Sequence, residues 1–445
     1  MSQALENIQS NRVTRNSSYP EIRESNNLYE RAEGLIPAFT QTLAKGPTQH
    51  VEGVAPKYLQ MGKGARVWDV DGNEYLDFTM GVGPLVLGYT YPRVDNAIRK
   101  QLENGITFSL MHPLEVEAAE LIRQVVPNAE AVRYSKTGAD VTSAAVRLSR
   151  AFTGREKVVC CGYHGWHDWY IGTSPRRKGV PGGSIDLVKS IPYNNLDTVK
   201  AALSDDVACV ILEPMIFEFP RDGFLAELQT LCRANGSLLI FDEMWTGFRL
   251  ALGGAQEYFE VKPDLACYSK AIANGMPISV LTGRQEVMRL LDEEVFFFTT
   301  FGGEALSLAA TMATIREIRD QNVPEHLARI GAEIQNGYRA IAREAGLEGL
   351  TDCIGHPART LVTFSPEAGD PLLIKSFVQQ ELIRFGVLWS GFHNISFSHT
   401  AWDVQHTLGA YREILPKLKE TLDAGKLESR LRGRPVQPVF RKTTD

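Results

Sequence analysis

SLLIFDEMWTGFRLALGGAQEYFEVKPDLACYSK, residues 237–270, decides the fold. It opens on an apolar run that stops at Asp242-Glu243 and closes on a second, LACYS, that stops at Lys270. Continuous apolar runs of about 4–8 residues mark strands covered on both faces. Working outward, the same theme recurs. AVRYS (131–135) precedes a helical pattern at 140–152, VACVILE (207–213) precedes one at 223–235, and PISVLTG (277–283) leads into another near 285–292. Strands alternating with amphipathic helices predict an α/β fold with a mostly parallel central sheet and helices on both faces.

The flanks read differently. The first 25 residues are polar and patternless and are expected to form a mobile arm. NNLYERAEGLI (26–36) reads as a short helix before Pro37. ARVWDVDGNEYLDF (65–78) alternates around Asp71-Gly72 as a hairpin does, and GVGPLVLGY leads to a helix at 93–104. The last hundred residues mix a strand, RTLVTFS, with helices at 371–385 and 403–422, the mark of a smaller α+β domain. The expected division is an arm (1–25), a segment joining the small domain (26–92), a large domain (93–330) and a C-terminal small domain (331–445).

Composition narrows the function. A chain of 445 residues suits two packed subdomains, and a net charge of −6 argues against a nucleic-acid binder. The basic stretch Arg430, Arg432, Arg434, Arg441 and Lys442 reads as a solvated tail. Six cysteines in apolar runs such as VVCCG imply buried reduced thiols rather than a disulfide framework. With no secretory leader and no apolar run of about 18 residues, the expected location is the cytoplasm, away from membranes.

In α/β sheets ligands collect at the carboxyl ends of the strands. Those ends carry Lys136-Thr137-Gly138, Tyr163-His164-Gly165, Glu213-Pro214, Asp242-Glu243 and Lys270. A lysine desolvated in a closed site offers a free amine for carbonyl attack, and SKAIANGMP shapes a tight backbone beside Lys270. A plain surface lysine is the alternative. Asp242, behind four apolar residues, needs a cation. A protonated pyridine nitrogen supplies one; an ion pair with Arg249 is the structural alternative. The turn KTGAD opens a helix whose free N–H groups make a phosphate seat, although an ordinary N-cap reads the same locally. Tyr163 suits stacking on a flat cofactor, and the HGWHD string lacks the spacing of a metal site. Walker and GxGxxG patterns are absent.

The ordered set YSKTGAD, YHGWHDW, EP, FDEMWTGFR, PDLACYSK and TTFGGEAL resembles the class III aminotransferases. Within them it is similar to glutamate-1-semialdehyde aminomutases and their polysaccharide-cluster relatives, over roughly residues 26–425. The resemblance implies a fold-type I pyridoxal 5'-phosphate enzyme, homodimeric, with its site at the subunit interface. It implies Lys270 as the Schiff-base lysine, Asp242 on the pyridinium, and Thr137, Gly138 and Ala139 as the phosphate turn. Tyr163 would stack on the ring with His164 beside it, Met244 would back the other face, and Thr300 of the second copy would complete the phosphate site. Glu213 is a further pocket candidate.

Departures from the aminomutase pattern bear on substrate. Ala139 stands for a hydroxyl residue, Gly81-Val82 for a Ser-Trp pair and Glu218 for an asparagine. WSGFHNISFSHT, with His393, is shorter than the loop that carries a gating glutamate. Lys45 lies near where an arginine is expected. These point to an intermolecular aminotransferase with a small amino donor and a carbonyl acceptor such as a carbohydrate or nucleotide-activated sugar. The rivals are an aminomutase or racemase on the same scaffold, and a non-catalytic scaffold that kept the fold.

Overall fold

A computed structural model describes residues 18–438. The chain divides into two units, one built from residues up to 82 and from 329–438, the other from residues 83–328. Residues 1–17 of the expected arm, and Arg441 and Lys442 of the basic stretch, lie outside the described residues.

The first unit opens with the helix Arg23–Ala32. No side chain of its own caps it. Both oxygens of Asp71 do so instead, accepting the N–H groups of Glu24 (2.7 Å) and Ser25 (2.9 Å). Residues 18–25, placed in the mobile arm by their polarity, are therefore docked: Ile22 and Ser25 are buried, and the Tyr19 hydroxyl donates to Glu381 at 2.5 Å. Local polarity could not report partners 46 and 362 residues away. Strands β1 (Leu59–Lys63), β2 (Arg66–Asp69) and β3 (Glu74–Asp77) form an antiparallel meander. Gly72, at φ 87, makes the β2–β3 turn, as the Asp-Gly pair predicts.

The second unit holds a seven-stranded sheet. Its strands are β4 (Ala131–Ser135), β5 (Lys157–Cys161), β6 (Val188–Ser190), β7 (Val207–Leu212), β8 (Leu238–Asp242), β9 (Leu265–Tyr268) and β10 (Ser279–Gly283). They lie in the order β4-β10-β9-β8-β7-β5-β6, parallel throughout except for β10, which runs antiparallel to both neighbours. Every residue of β7, β8 and β9 is buried, which is why these strands read as unbroken apolar runs. The helix Gly138–Thr153 packs Val141, Ala145 and Leu148 into the cluster formed by β5, β7, β8 and β9, whereas Phe152 stays exposed. Residues 83–92, expected in the small domain, group with this unit. Arg249 donates to the Gly83 carbonyl (2.6 Å), and Asn274 both accepts from Leu87 N (2.9 Å) and donates to Gly88 O (2.9 Å).

The chain then completes the first unit. β11 (Thr351–His356), β12 (Arg359–Phe364) and β14 (Phe392–Asn394) form an antiparallel sheet, while β13 (Val387–Leu388) joins β3 in parallel. The helices Pro371–Arg384 and Ala401–Asp423 belong to this unit. All six cysteines are buried and unpaired. Among the described residues, no helix is long and apolar enough to cross a membrane.

Candidate active site

Because β4, β5, β7, β8 and β9 run the same way, their carboxyl ends meet along one edge of the sheet. Asp242 closes β8 and is 1% exposed. Its Oδ2 lies 2.7 Å from His164 Nδ1, and its Oδ1 accepts the N–H of Met244 at 3.1 Å. His164 Nε2 lies 3.1 Å from the Cys161 carbonyl. A carbonyl only accepts, so Nε2 donates to Cys161, while Nδ1 faces the carboxylate. Trp169 stacks parallel to the His164 ring, 6.2 Å between centroids, and the Thr142 hydroxyl fastens the His164 carbonyl at 2.8 Å. The buried acid is thus oriented on one side and keeps its other oxygen at the strand end.

Glu213 follows β7 directly, and its Oε1 accepts the N–H of Tyr163 at 2.8 Å. A methyl at Gly162 would lie 2.7 Å from that oxygen, so this glycine lets the turn close onto the carboxyl. Burial, and then the like charge of Asp242, push the Glu213 carboxyl above its ordinary value, against the pull of the Tyr163 N–H, His164 and Lys270. Two carboxyls and a lysine share one electrostatic neighbourhood there. Tyr163 is half-exposed, with its ring edge-on to Tyr170 at 5.6 Å.

Lys270 follows β9 in a left-handed backbone conformation, φ 47, which is uncommon for a residue with a side chain. Its side chain is exposed rather than enclosed as the sequence suggests. A methyl at Gly83 would meet its Cδ at 4.0 Å.

Thr137 caps the helix Gly138–Thr153 in a reciprocal box. Its hydroxyl accepts from Asp140 N (3.3 Å), and Asp140 Oδ2 accepts from Thr137 N (2.8 Å) and from the Ser135 hydroxyl (2.8 Å). Burial opposes the charge of Asp140, but these bonds outweigh it and hold the carboxyl below its ordinary value. Two close approaches fix the rest of the turn. A methyl at Gly138 would come within 2.7 Å of Met244 Sδ, and one at Gly165 within 2.7 Å of the Ala139 methyl. Thr137, Gly138, Ala139, His164 and Met244 are thereby brought together with Asp242.

Of the remaining candidates, Thr300 and Glu218 belong to the second unit and Lys45 and His393 to the first. Thr300 is exposed, in the loop before the helix Ala305–Asp320. Glu218 is an exposed partner of Arg221 (3.2 Å). Lys45 is exposed at the end of the short helix Leu43–Lys45 in the first unit. His393, offered as a substrate contact, is fully buried in the first unit. Its Nδ1 bonds Thr360 Oγ1 (2.8 Å), its Nε2 bonds the Tyr411 hydroxyl (2.8 Å), and its ring packs on Phe78, which makes it a core histidine. His167 Nδ1 meets the Ser143 hydroxyl at 2.6 Å, and no group of potential metal ligands occurs among the described residues. The sequence reading placed Lys136 at a strand end without giving it a role and did not single out Glu304; the two pair at 2.8 Å. Glu304 had a visible signal, an acid directly before the helical run Ala305–Asp320.

The family model for class-III aminotransferases matches residues 49–350. The chain is 34% identical to a 3-aminobutyryl-CoA aminotransferase of Cloacimonas acidaminovorans, over 90% of this chain and 99% of that one. It is 32% identical to a glutamate-1-semialdehyde 2,1-aminomutase of Alkaliphilus oremlandii, over 90% and 100%. Among solved structures it is similar to the pyridoxal-phosphate internal aldimine form of the FumI protein of Sphingopyxis sp. MTA144. That likeness has a TM-score of 0.84 at 28% identity, covering 93% of this chain and 99% of that one.

Proposed function

The chain belongs to the class-III aminotransferases, pyridoxal-phosphate enzymes of fold type I, and on that premise we propose that it moves an amino group between two small molecules at Lys270. The observation that carries the reading is the buried Asp242–His164 pair, with Glu213 beside it, at strand ends adjoining that of Lys270.

The residues fit the cofactor. Asp242 is a buried acid whose Oδ1 accepts from Met244 N and keeps a second lone pair, which suits a protonated ring nitrogen. Gly138 opens a helix of 16 residues, whose unpaired N–H groups and dipole suit a phosphate, with Thr137 adding a hydroxyl. Ala139, Tyr163, His164 and Met244 are assigned as further contacts, with Thr300 supplied by a second copy. When bound, the cofactor supplies an electrophilic carbon for an amine and an electron-poor ring that takes up charge. Asp242 holds the proton on the ring nitrogen, and His164 keeps that carboxyl oriented. Lys270 Nζ carries a proton to and from the carbon that bears the amine. Glu213, held by Tyr163 N, sets the local charge.

We read the chemistry as an intermolecular transfer rather than an internal rearrangement, with the amine on a carbon that is not α to a carboxylate. The relative whose name places its amine at carbon 3 supports this, and carbonyl sugars meet the same description. A second copy is assigned to the exposed apolar face around Leu110, Met111, Phe296 and Phe298, where Ala305 N bonds Ile106 O at 2.9 Å and where Thr300 also lies.

Lys270→Ala tests the core of the reading. Expected are loss of the yellow absorbance of the lysine-linked cofactor and a fall in turnover of about 10²–10⁴-fold. A variant that turned over normally with added cofactor would refute it. Half-reaction spectra against β-amino acids, amino sugars and α-amino acids test the substrate class, and product from one substrate without an acceptor would favour the aminomutase reading.

A further inference from the structure

Lys136 lies outside every role assigned so far. It precedes Thr137 directly, yet its side chain turns away from the turn and ends on two other segments. Its Nζ donates to Glu304 Oε1 (2.8 Å), to the Pro277 carbonyl (2.9 Å) and to Ser307 Oγ (3.3 Å). An ammonium has three hydrogens, and here it meets three acceptors. The directions are fixed, because Ser307 Oγ gives its own hydrogen to Pro277 O (3.2 Å) and so can only accept from Lys136. Glu304 is engaged in turn, since its carboxylate caps the helix Ala305–Asp320 through Leu306 N (2.8 Å) and Ser307 N (3.1 Å). Burial works against that carboxylate, but the bonds from Lys136 and Ser307 outweigh it and hold it below its ordinary value. The pair is mostly buried, at 20% and 9% exposure, where a satisfied polar network is stiff and a half-satisfied one is costly.

Each anchor belongs to a stretch that carries an assigned cofactor contact. Pro277 ends the loop that begins at Lys270. Glu304 and Ser307 close the loop that carries Thr300. Lys136 itself adjoins Thr137–Ala139. We propose that Lys136 is a positioning residue that holds these three stretches in register and so sets how tightly a phosphate-bearing cofactor is retained. The inference rests on the phosphate seat assigned above to Thr137–Ala139.

The experiment measures retention of pyridoxal phosphate by absorbance during dialysis and reconstitution, alongside the thermal midpoint of the cofactor-free protein. Lys136→Met should weaken retention at least about tenfold. Lys136→Arg should recover part of the loss, and a Lys136→Glu/Glu304→Lys double variant should exceed either single one. If Lys136→Met does not fold, Glu304→Gln carries the same expectation. A thermal midpoint that falls while retention is unchanged, or a Lys136→Arg as defective as Lys136→Met, would overturn the proposal. Thr137→Val separates the two readings. If it too leaves retention untouched, the phosphate seat is misassigned. If it weakens retention while Lys136→Met does not, the positioning role alone is lost.

Discussion

At the scale of single residues, the site depends on where side chains are missing as much as on where they are present. Gly165 sits at φ +108 with its α-carbon against Ala139, so a methyl there meets the Ala139 methyl at 2.7 Å and its α-carbon at 2.9 Å. Neither atom is the end of a flexible side chain, so the turn 137–139 would have to move. Gly165→Ala should cost roughly 1–2 kcal/mol for its backbone conformation, plus about 1–3 kcal/mol for the overlap, and it should weaken cofactor retention. Gly179→Ala is the matched control, because at φ +95 nothing lies within 4 Å and it carries the backbone cost alone. Chemical denaturation of both variants checks the difference, and equal losses would mean that the contact with Ala139 is slack. The placement of Lys270, Asp242 and Thr137 at strand ends was legible in the sequence because each stands at or just past the end of an apolar run, a purely local signal. The bond from His164 to Asp242 spans 78 residues and that from Lys136 to Glu304 spans 168, and no local pattern encodes either. His393 is the converse case. It was named only for its place in the loop WSGFHNISFSHT, and Thr360 and Tyr411 satisfy both its ring nitrogens and let the histidine sink into the core.

At the scale of elements, strands and helices followed periodicity closely, since the buried runs of β7, β8 and β9 admit no other reading. Residues just past a strand end were less legible. Glu243, one residue beyond β8, is fully buried and turns away from Asp242 to cap the next short helix, accepting from Ala255 N (2.8 Å), Gln256 N (3.0 Å) and the Thr246 hydroxyl. Burial pushes its carboxyl up to about 7, although those bonds pull it down. A group raised in the folded state binds its proton more tightly there than in the unfolded chain. Its stabilisation is therefore complete below the ordinary carboxylate value of 4.5 and is lost as pH rises through about 7. The thermal midpoint should accordingly fall between pH 5 and pH 8. Glu243→Gln should flatten that dependence and cost about 1–3 kcal/mol at pH 5, because an amide offers one acceptor where the carboxyl offers two. A Gln variant that keeps the full slope would assign the pH dependence elsewhere.

At the scale of the whole molecule the two units differ in the groups that titrate inside them. In the second unit the raised carboxyls of Glu213 and Glu243 favour acid, opposed by the lowered carboxyls of Asp140 and Glu304. In the first unit the perturbed histidines do the reverse. Burial lowers His393 to about 3, with His399 adding to the effect, and lowers His50 to about 4, with the charge of Lys375 adding to it. His399 is lowered too, mainly by burial. A histidine held neutral in the fold contributes stability that is present above its ordinary value of 6.5 and is lost as pH falls through 4 and 3. Acid should therefore loosen the first unit before the second. Hydrogen exchange by mass spectrometry, with rates corrected for pH, should show protection lost at pH 4.5 in β12 and in the helix Ala401–Asp423 while β7, β8 and β9 stay protected. His393→Gln, which keeps polar atoms for Thr360 and Tyr411 but cannot acquire a charge, should move the acid midpoint to lower pH. Simultaneous loss of protection in both units, with a midpoint unmoved in His393→Gln, would show that buried histidines do not govern acid stability. Because the retained cofactor adds stability only to the state that binds it, and its assigned contacts belong to the second unit, the separation between the units should widen in the holoenzyme, and a separation that narrows would place the site on the first unit.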